Sequence, residues 1–348
     1  MRAVQVTSFA GPDGLRAAEV GRPSPRADEV LVRVYHCGVN PVDRSQATGR
    51  WPWLGLPHVP GSEISGVVEE AGALVSHVQP GTPVAVAFRI FCGRCHYCLQ
   101  GREEACTADP RSANAPIMVG LPGDGGYAQY VVVPGQNVLP IPDGLALDAA
   151  CVATLDGVTA WHEADRAGIE AGDQVLVTGA TGGLGTFFVQ IAKLRGAVVY
   201  ALTGRPDCAD RLRGLGADAV VDRRRDDAVR QVRDLTGGRG VDAILDSTGA
   251  GSLSANLQML APLGRLVFCG ILAGATAEVN LAPFYAQQQQ IIGSTGGSRR
   301  DLEALLAAMA RDKVQPVIWR HFPLEQAADA MRALDDSQRF GKVILDVR

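Results

Sequence analysis

The sequence predicts an α/β protein with a β-rich, barrel-like first domain and a doubly wound parallel sheet after it. Three observations carry this reading. The chain has 348 residues, more than one core of up to ~250–300 residues usually holds. Residues 1–150 are rich in short β-type runs broken by Gly and Pro. From about residue 154 strands alternate with helices, which is the pattern of a parallel sheet with helical crossovers.

In the first domain, "EVLVRVYHCGVNP", "SGVVEEAG", "GTPVAVAF" and "GGYAQYVVVPG" mark strands of a compact, mostly antiparallel barrel. In the second, "DQVLVTG" (173–179) reads as a buried strand and "GTFFVQIAKLRG" (185–196) as a helix ended by Gly196. "AVVYAL" (197–202) is the next strand, followed by a helix near 207–214, the strand "DAVVD" and a helix near 227–235. "VDAILD" (241–246), a helix around 252–260 and "RLVFCG" (265–270) complete the repeat. From about 294 come the helical "DLEALLAAMA", the helical "LEQAADAMRAL" and the strand "GKVILDV", which either extend the parallel sheet or return to the first domain. The boundaries expected are 1–153 with 294–348 for the barrel domain and 154–293 for the sheet domain.

Composition narrows the function classes. A 47% hydrophobic, 20% charged chain is that of an ordinary soluble protein. The net charge of −4 gives no reason to expect a nucleic-acid or anionic-membrane partner. No apolar run approaches the ~18 residues needed to span a bilayer, and "MRAVQVTSF" lacks an apolar signal core. A cytoplasmic setting is expected, where cysteines serve as thiols or metal ligands more often than as disulfides.

The stretch "VLVTGATGGLGTFFVQ" places a glycine-rich turn between a strand and an amphipathic helix. Gly179, Ala180, Thr181, Gly182, Gly183, Leu184 and Gly185 form it, with Ala180 in the first glycine slot of the usual G-x-G-x-x-G. Such a turn lets backbone approach a pyrophosphate and presents the N–H groups and positive dipole end of the helix to it. A dinucleotide site follows. An NAD site generally has an acid at the end of the second strand to hold the ribose hydroxyls. Here that position reads Thr203-Gly204-Arg205: nothing repels a 2′-phosphate, Gly204 leaves room, and Arg205 can pair with it. NADP(H) is the cofactor expected, with Arg223 a second candidate for the phosphate.

Cys92, Cys95, Cys98 and Cys106, spaced x2, x2, x7, can wrap one tetrahedral Zn²⁺. With four protein ligands no position is left for substrate or water, so a zinc here is structural.

These features together resemble the medium-chain dehydrogenase/reductases along essentially the whole chain. Within "GSEISGVVEEAGALV", Gly61, Glu63, Gly66, Gly72 and Val75 fit the zinc alcohol dehydrogenase signature G-H-E-x2-G-x5-G-x2-V. The four-cysteine lobe is similar to the family's structural-zinc lobe, and "LDSTG" at 245–249 to part of its cofactor domain. The resemblance implies a GroES-like catalytic domain built from the first ~150 residues plus the tail, a Rossmann domain between them, and a homodimer or homotetramer joined through that Rossmann domain. It implies that Thr248, Gly249 and Gly270 line the nicotinamide side and that Lys342 sits near the pyrophosphate.

Departures from the family pattern are the informative part. The positions matching its catalytic zinc ligands are Asn40, Ser62 and Leu155, an amide, a hydroxyl and an alkyl group, which make no tight zinc site. Asp156 and His58 are the nearby spare ligands for a rebuilt one. "GVNPVDRSQATGRWPW" resembles instead the quinone oxidoreductase branch, which has no zinc, although Ser45 and Ala47 stand where that branch often has Tyr and Arg. Hydride delivery to an unactivated ketone leans on a Lewis acid, whereas a quinone or carbonyl-conjugated alkene is already electrophilic. The expectation is NADPH-dependent reduction of such a substrate. Asn40 is the expected donor to the substrate oxygen with Ser62 second, Asp43 and Glu63 orient the site, and water or Ser45 supplies the proton. Two alternatives stand beside it: a conventional zinc alcohol dehydrogenase, and an NADPH-binding redox sensor or non-catalytic protein.

Overall fold

The computed structural model describes residues 1–109, 117–225 and 227–348. The chain divides into two compact units, Met1–Val158 with Gly297–Arg348, and Thr159–Gly296. The divisions expected at 153 and 294 lie a few residues earlier. Residues 147–166 run as one helical stretch, so the change of texture near 154 falls inside a helix.

The first unit begins with the paired strands β1 (Arg2–Val6) and β2 (Leu15–Glu19). Strand β3 (Glu29–Gly38) then leads into the short helix α1 (Pro41–Ala47). Pro41 at the first helical position has the fixed φ a helix start needs, and its missing N–H costs nothing there. Strands β4 (Glu63–Ala71), β5 (Pro83–Val86), β6 (Tyr130–Pro134) and β7 (Val138–Pro140) follow, then α2 (Leu147–Val152). A single wide π turn at Ala153–Gly157 joins α2 to α3 (Val158–Arg166). One extra residue in a helical turn rotates the side chains beyond it.

The second unit alternates strand and helix as expected. It runs β8 (Gln174–Val177), α4 (Gly183–Leu194), β9 (Val198–Thr203), α5 (Ala209–Gly214), β10 (Ala219–Asp222) and α6 (Ala228–Leu235). It continues with β11 (Val241–Asp246), α7 (Ala250–Met259), β12 (Leu260–Phe268), α8 (Leu281–Ala286) and β13 (Gln290–Gly293). All six strands are parallel, in the order β10-β9-β8-β11-β12-β13. This is the doubly wound order in which the strand sequence reverses beside β8, at whose carboxyl end the glycine turn sits. Its sixth strand, "QIIG", is too short and too close to the glutamine run to stand out as a strand.

The chain then returns to the first unit with α9 (Arg299–Met309), β14 (Ile318–Pro323), α10 (Ala327–Arg332) and β15 (Lys342–Asp346). Of the two placements open for the tail, the structure selects the barrel. Strand β15 joins β3 antiparallel and β14 parallel, completing a seven-stranded sheet. Its core takes the inward-facing Val30, Val32, Val34, Ile64, Val84 and Val86 together with Val343 and Leu345. Burying each valine- or leucine-sized side chain contributes about 1.5–3 kcal/mol. Among the described residues no helix is long and apolar enough to cross a membrane.

Candidate functional site

In the first unit, β3, α1, β4, the π turn and β15 bring Asn40, Glu63, Asp156 and Lys342 into one buried cluster. The Lys342 ammonium has three N–H donors, and three acceptors surround it. It donates to Asn40 Oδ1 at 2.6 Å and Asp156 Oδ2 at 2.8 Å, and pairs with Glu63 Oε2 at 2.5 Å. Asn40 Nδ2 donates in turn to Glu63 Oε2 at 2.9 Å and to the Gly38 carbonyl at 3.4 Å. The Asp156 N–H donates to Glu63 Oε1 at 3.1 Å. Burial works against the charged amine, but the Asp156 and Glu63 carboxylates outweigh it and its pKa is raised. Burial pushes Glu63 well above the usual carboxylate range, and Lys342 draws it only part of the way back.

All three Lys342 donors face acceptors of the first unit. One expectation is corrected: Asn40 is not a free donor for substrate, since both its amide hydrogens lie on protein oxygens. The π turn explains the third member. It leaves Leu155 half-buried and turns Asp156 inward, so the carboxylate stands one residue off the register that the family pattern uses.

The other expected residues surround this cluster. Asp43 is buried at the third position of α1, where its Oδ2 accepts from the Asn40 backbone N–H at 2.8 Å and the Tyr127 hydroxyl at 3.3 Å. Burial raises Asp43 to about 7, against the pull of those donors and of Lys342. Ser62 is buried, and among the described residues its hydroxyl donates to the Met118 thioether alone, at 3.1 Å, a weak acceptor. Ser45 is half-buried, and its hydroxyl has no hydrogen-bond partner among the described residues. His58 points away from the cluster, its Nε2 2.9 Å from both Gln46 Oε1 and the Gly120 carbonyl.

The four cysteines of 92–106 converge as free thiols within 4.8 Å of one another. Their sulfurs lie 3.5 Å (95–98), 3.9 Å (95–106) and 4.0 Å (92–98) apart. A tetrahedral zinc with 2.3 Å bonds to sulfur needs about 3.8 Å, so the group fits that ion. Backbone N–H groups of Cys98 and Thr107 hold the Cys95 thiol down to about 6, the direction metal thiolates require. The other converging set of His, Cys, Asp or Glu among the described residues is His36, His321 and Asp346.

In the second unit the glycine turn has the geometry of an anion cradle. Gly179 has φ +60°, and a Cβ there would meet Ser247 Oγ at 2.5 Å. A Cβ on Gly185 would come within 2.1 Å of the Gly179 carbonyl, so only glycine lets α4 start this close to the turn. No side chain caps that helix start at Gly182, which leaves its first N–H groups for a ligand. Ala180 is buried, Gly183 is packed in the first turn, and Thr181 and Leu184 are half-buried.

At the end of β9, Arg205 lays Nε and Nη2 on the Asp207 carboxylate at 3.0 and 2.6 Å, holding Asp207 down to about 2. Thr203 Oγ1 accepts from the Arg205 backbone N–H at 2.9 Å. Arg224 and Arg225 pair with Asp222 and Asp227. The Arg223 guanidinium is exposed and lies over Gly204, where a Cβ would be 3.0 Å from its Nε. Among the described residues, Arg205 is thus held by Asp207, whereas the exposed Arg223 guanidinium has no ion-pair partner.

At the end of β11, Asp246 organises the turn that follows. It accepts from the Thr178 hydroxyl, from the Thr248 N–H and hydroxyl at 3.0 and 2.5 Å, and from the Gly249 N–H at 3.2 Å. A Cβ on Gly249 would meet the Gly270 carbonyl at 2.7 Å, so these two glycines pass each other closely. Asp246 was not expected as a site residue, although it stands inside the quoted "LDSTG".

Family models agree with both units. Residues 26–143 match the alcohol dehydrogenase GroES-like domain and residues 183–311 the zinc-binding dehydrogenase domain. The chain is 31% identical to an NAD-dependent alcohol dehydrogenase of Saccharolobus solfataricus, over 99% of both chains. It is 29% identical to the human quinone oxidoreductase, over 99% of this chain and 97% of that one. A solved NAD-dependent alcohol dehydrogenase superposes with a TM-score of 0.94 at 36% identity, over 100% of both chains. With its GroES-like unit, its parallel dinucleotide-type sheet and full-length relatives of this identity, the chain belongs to the medium-chain dehydrogenase/reductases and is an oxidoreductase of that type.

Proposed function

We propose that the protein delivers hydride from NADPH to a quinone or a carbonyl-conjugated alkene without a catalytic zinc. The observation that carries this is the Lys342 ammonium. It sits among Asn40, Glu63 and Asp156, on the positions and neighbours of the family's catalytic ligand pattern. A buried monovalent cation repels a divalent one, and Asn40, Ser62 and Leu155 do not make a zinc ligand set. The set does not fit that metal. A substrate activated by its own conjugation suits such a site.

NADPH supplies the hydride, and Gly179–Gly185 would hold its pyrophosphate. Arg223 beside Gly204 supports the 2′-phosphate reading, while Arg205 is engaged by Asp207. Thr248, Gly249 and Gly270 form the close-packed turn proposed for the nicotinamide side. In the first unit Lys342 fixes the Asn40 amide, and Asp43 fixes its backbone, so Asn40 acts as a positioning residue. Ser62 is the side-chain donor most easily re-aimed at a substrate oxygen, because a thioether is all it gives up. Ser45 supplies a hydroxyl for proton delivery to the α-carbon. Cys92, Cys95, Cys98 and Cys106 would hold a structural zinc that ties their lobe together.

We also propose a second copy of this chain as partner. Helix α8 buries none of its residues, and Leu281 and Tyr285 are 67% and 74% exposed beside the edge strand β13.

A second reading is kept alive by the relatives named as NAD-dependent alcohol dehydrogenases. Oxidation of NADPH and NADH with quinones, enals, enoyl thioesters and simple ketones separates the two. NADPH turnover confined to the activated acceptors supports the proposal, whereas NAD-linked alcohol oxidation would establish the second reading.

A further inference from the structure

Strands β14, β15 and β3 lie side by side at one end of the first unit's sheet, and they bring His321, Asp346 and His36 onto one surface. Asp346 is directly paired with His36 across the β15–β3 ladder, and β14 adds His321 from the other side. Both imidazoles present Nδ1 to the same carboxylate oxygen. Asp346 Oδ1 lies 2.9 Å from His36 Nδ1 and 2.8 Å from His321 Nδ1. The two rings stand edge to face with centroids 6.0 Å apart, so both nitrogens converge on one point from different directions. On the far side of His321, Asp148 of α2 places Oδ2 3.9 Å from Nε2.

We propose that His36, His321 and Asp346 form a binding site for a borderline divalent transition-metal ion of the Zn²⁺ type, separate from the four-cysteine group. Two imidazole nitrogens and one carboxylate oxygen are the donor types such an ion prefers. Bonds of 2.0–2.2 Å set donors about 3.3 Å apart in a tetrahedron. The present spacings open to that value by about half an ångström, which rotation of two partly exposed rings provides. With Nδ1 on the ion, each imidazole would carry its N–H at Nε2. On His321 that new N–H faces Asp148, the carboxylate-behind-histidine arrangement that fixes ring orientation at metal sites.

The remaining coordination positions face solvent, since the side chains of His36, Asp346 and His321 are 21%, 41% and 36% exposed. Three protein ligands with open positions suit water or a small exogenous ligand. The ion would also bridge residue 36 to residues 321 and 346, tying the chain's return strands to β3.

The test is calorimetric titration of Zn²⁺ into full-length protein that already carries its tightly held zinc and has been freed of loose metal by gel filtration. Saturable binding of one further equivalent is expected, with a rise in melting temperature that EDTA reverses. His321→Gln, at a partly exposed position, is expected to fold normally, keep the tightly held zinc and weaken the added site at least tenfold. Asp346→Asn is expected to do the same. Absence of saturable binding below 100 μM Zn²⁺ in the wild type would overturn the proposal. So would an unchanged isotherm in both variants.

Discussion

Lys342 decides the character of the first unit's polar cluster, because its ammonium pairs with two buried carboxylates. Removing it as Lys342→Met leaves Glu63 buried without its ion-pair partner and Asp156 with only the longer-range charge of Arg339. Breaking a buried pair in this way typically costs about 3–5 kcal/mol. A large drop in the denaturation midpoint is expected, and adding Glu63→Gln to Lys342→Met should restore part of it. A midpoint unchanged by Lys342→Met would mean that the pair is not formed in solution.

Asp43 gives the cluster a pH dependence with a definite sign. Its folded pKa of about 7 lies above the ordinary aspartate value of 3.8. Between those values the folded protein keeps a proton that the unfolded chain has lost. The contribution is therefore fully present below about pH 4 and lost as pH rises through about 7. Urea denaturation across pH 4–8 should show stability declining with pH over that window, less steeply in Asp43→Asn. An identical slope in wild type and variant would show that another group is responsible.

At the scale of elements, two short segments set what the site can do. The π turn at Ala153–Gly157 exchanges Leu155 for Asp156 as the inward residue, and through it the helix supplies a carboxylate to Lys342. The glycine turn before α4 fixes how closely a pyrophosphate can approach. Gly185→Ala places a methyl group against the Gly179 carbonyl, and overpacking of that kind costs about 1–3 kcal/mol. NADPH affinity measured by fluorescence titration should fall by about tenfold or more, since 1.4 kcal/mol is a factor of ten. At the end of β9, a charge-assisted contact is worth about 1.5–3 kcal/mol. Arg223→Ala should then weaken NADPH about tenfold to a hundredfold and leave NADH unchanged. Equal losses for both nucleotides would remove Arg223 from the 2′-phosphate.

These elements also show what the linear sequence can and cannot carry. The alternation of strand and helix and the spacing of Gly179, Gly182, Gly183 and Gly185 are local patterns, so the parallel sheet and its turn were readable directly. The four cysteines lie within fifteen residues and were equally readable as a group. Lys342 and Asn40 are 302 positions apart, and no local pattern says that an amine will close on an amide. The inward turn of Asp156 depends on one irregular helical turn that periodicity does not register. His36, His321 and Asp346 meet only through the pairing of β3, β15 and β14. Arg205 looked freer than it is because its Asp207 partner follows two residues later as an ordinary loop acid.

For the whole molecule, the Rossmann-type unit supplies the glycine-rich turn and the GroES-like unit supplies a polar cluster centred on the Lys342 amine. The proposed self-association through helix α8 is testable by mass. A homo-oligomer should elute in light-scattering chromatography at a multiple of 36.6 kDa, and Tyr285→Asp should shift it toward the single chain. A wild-type monomer would leave the exposed face of α8 without its proposed partner.

The most direct measurement is steady-state oxidation of NADPH and NADH against one panel of quinones, enones, enoyl thioesters and simple ketones, with alcohol oxidation by NADP⁺ and NAD⁺ in parallel. Expected is turnover with NADPH on quinones or conjugated alkenes and little with unactivated ketones or alcohols. NAD-linked oxidation of simple alcohols, with no turnover on the activated acceptors, would contradict it.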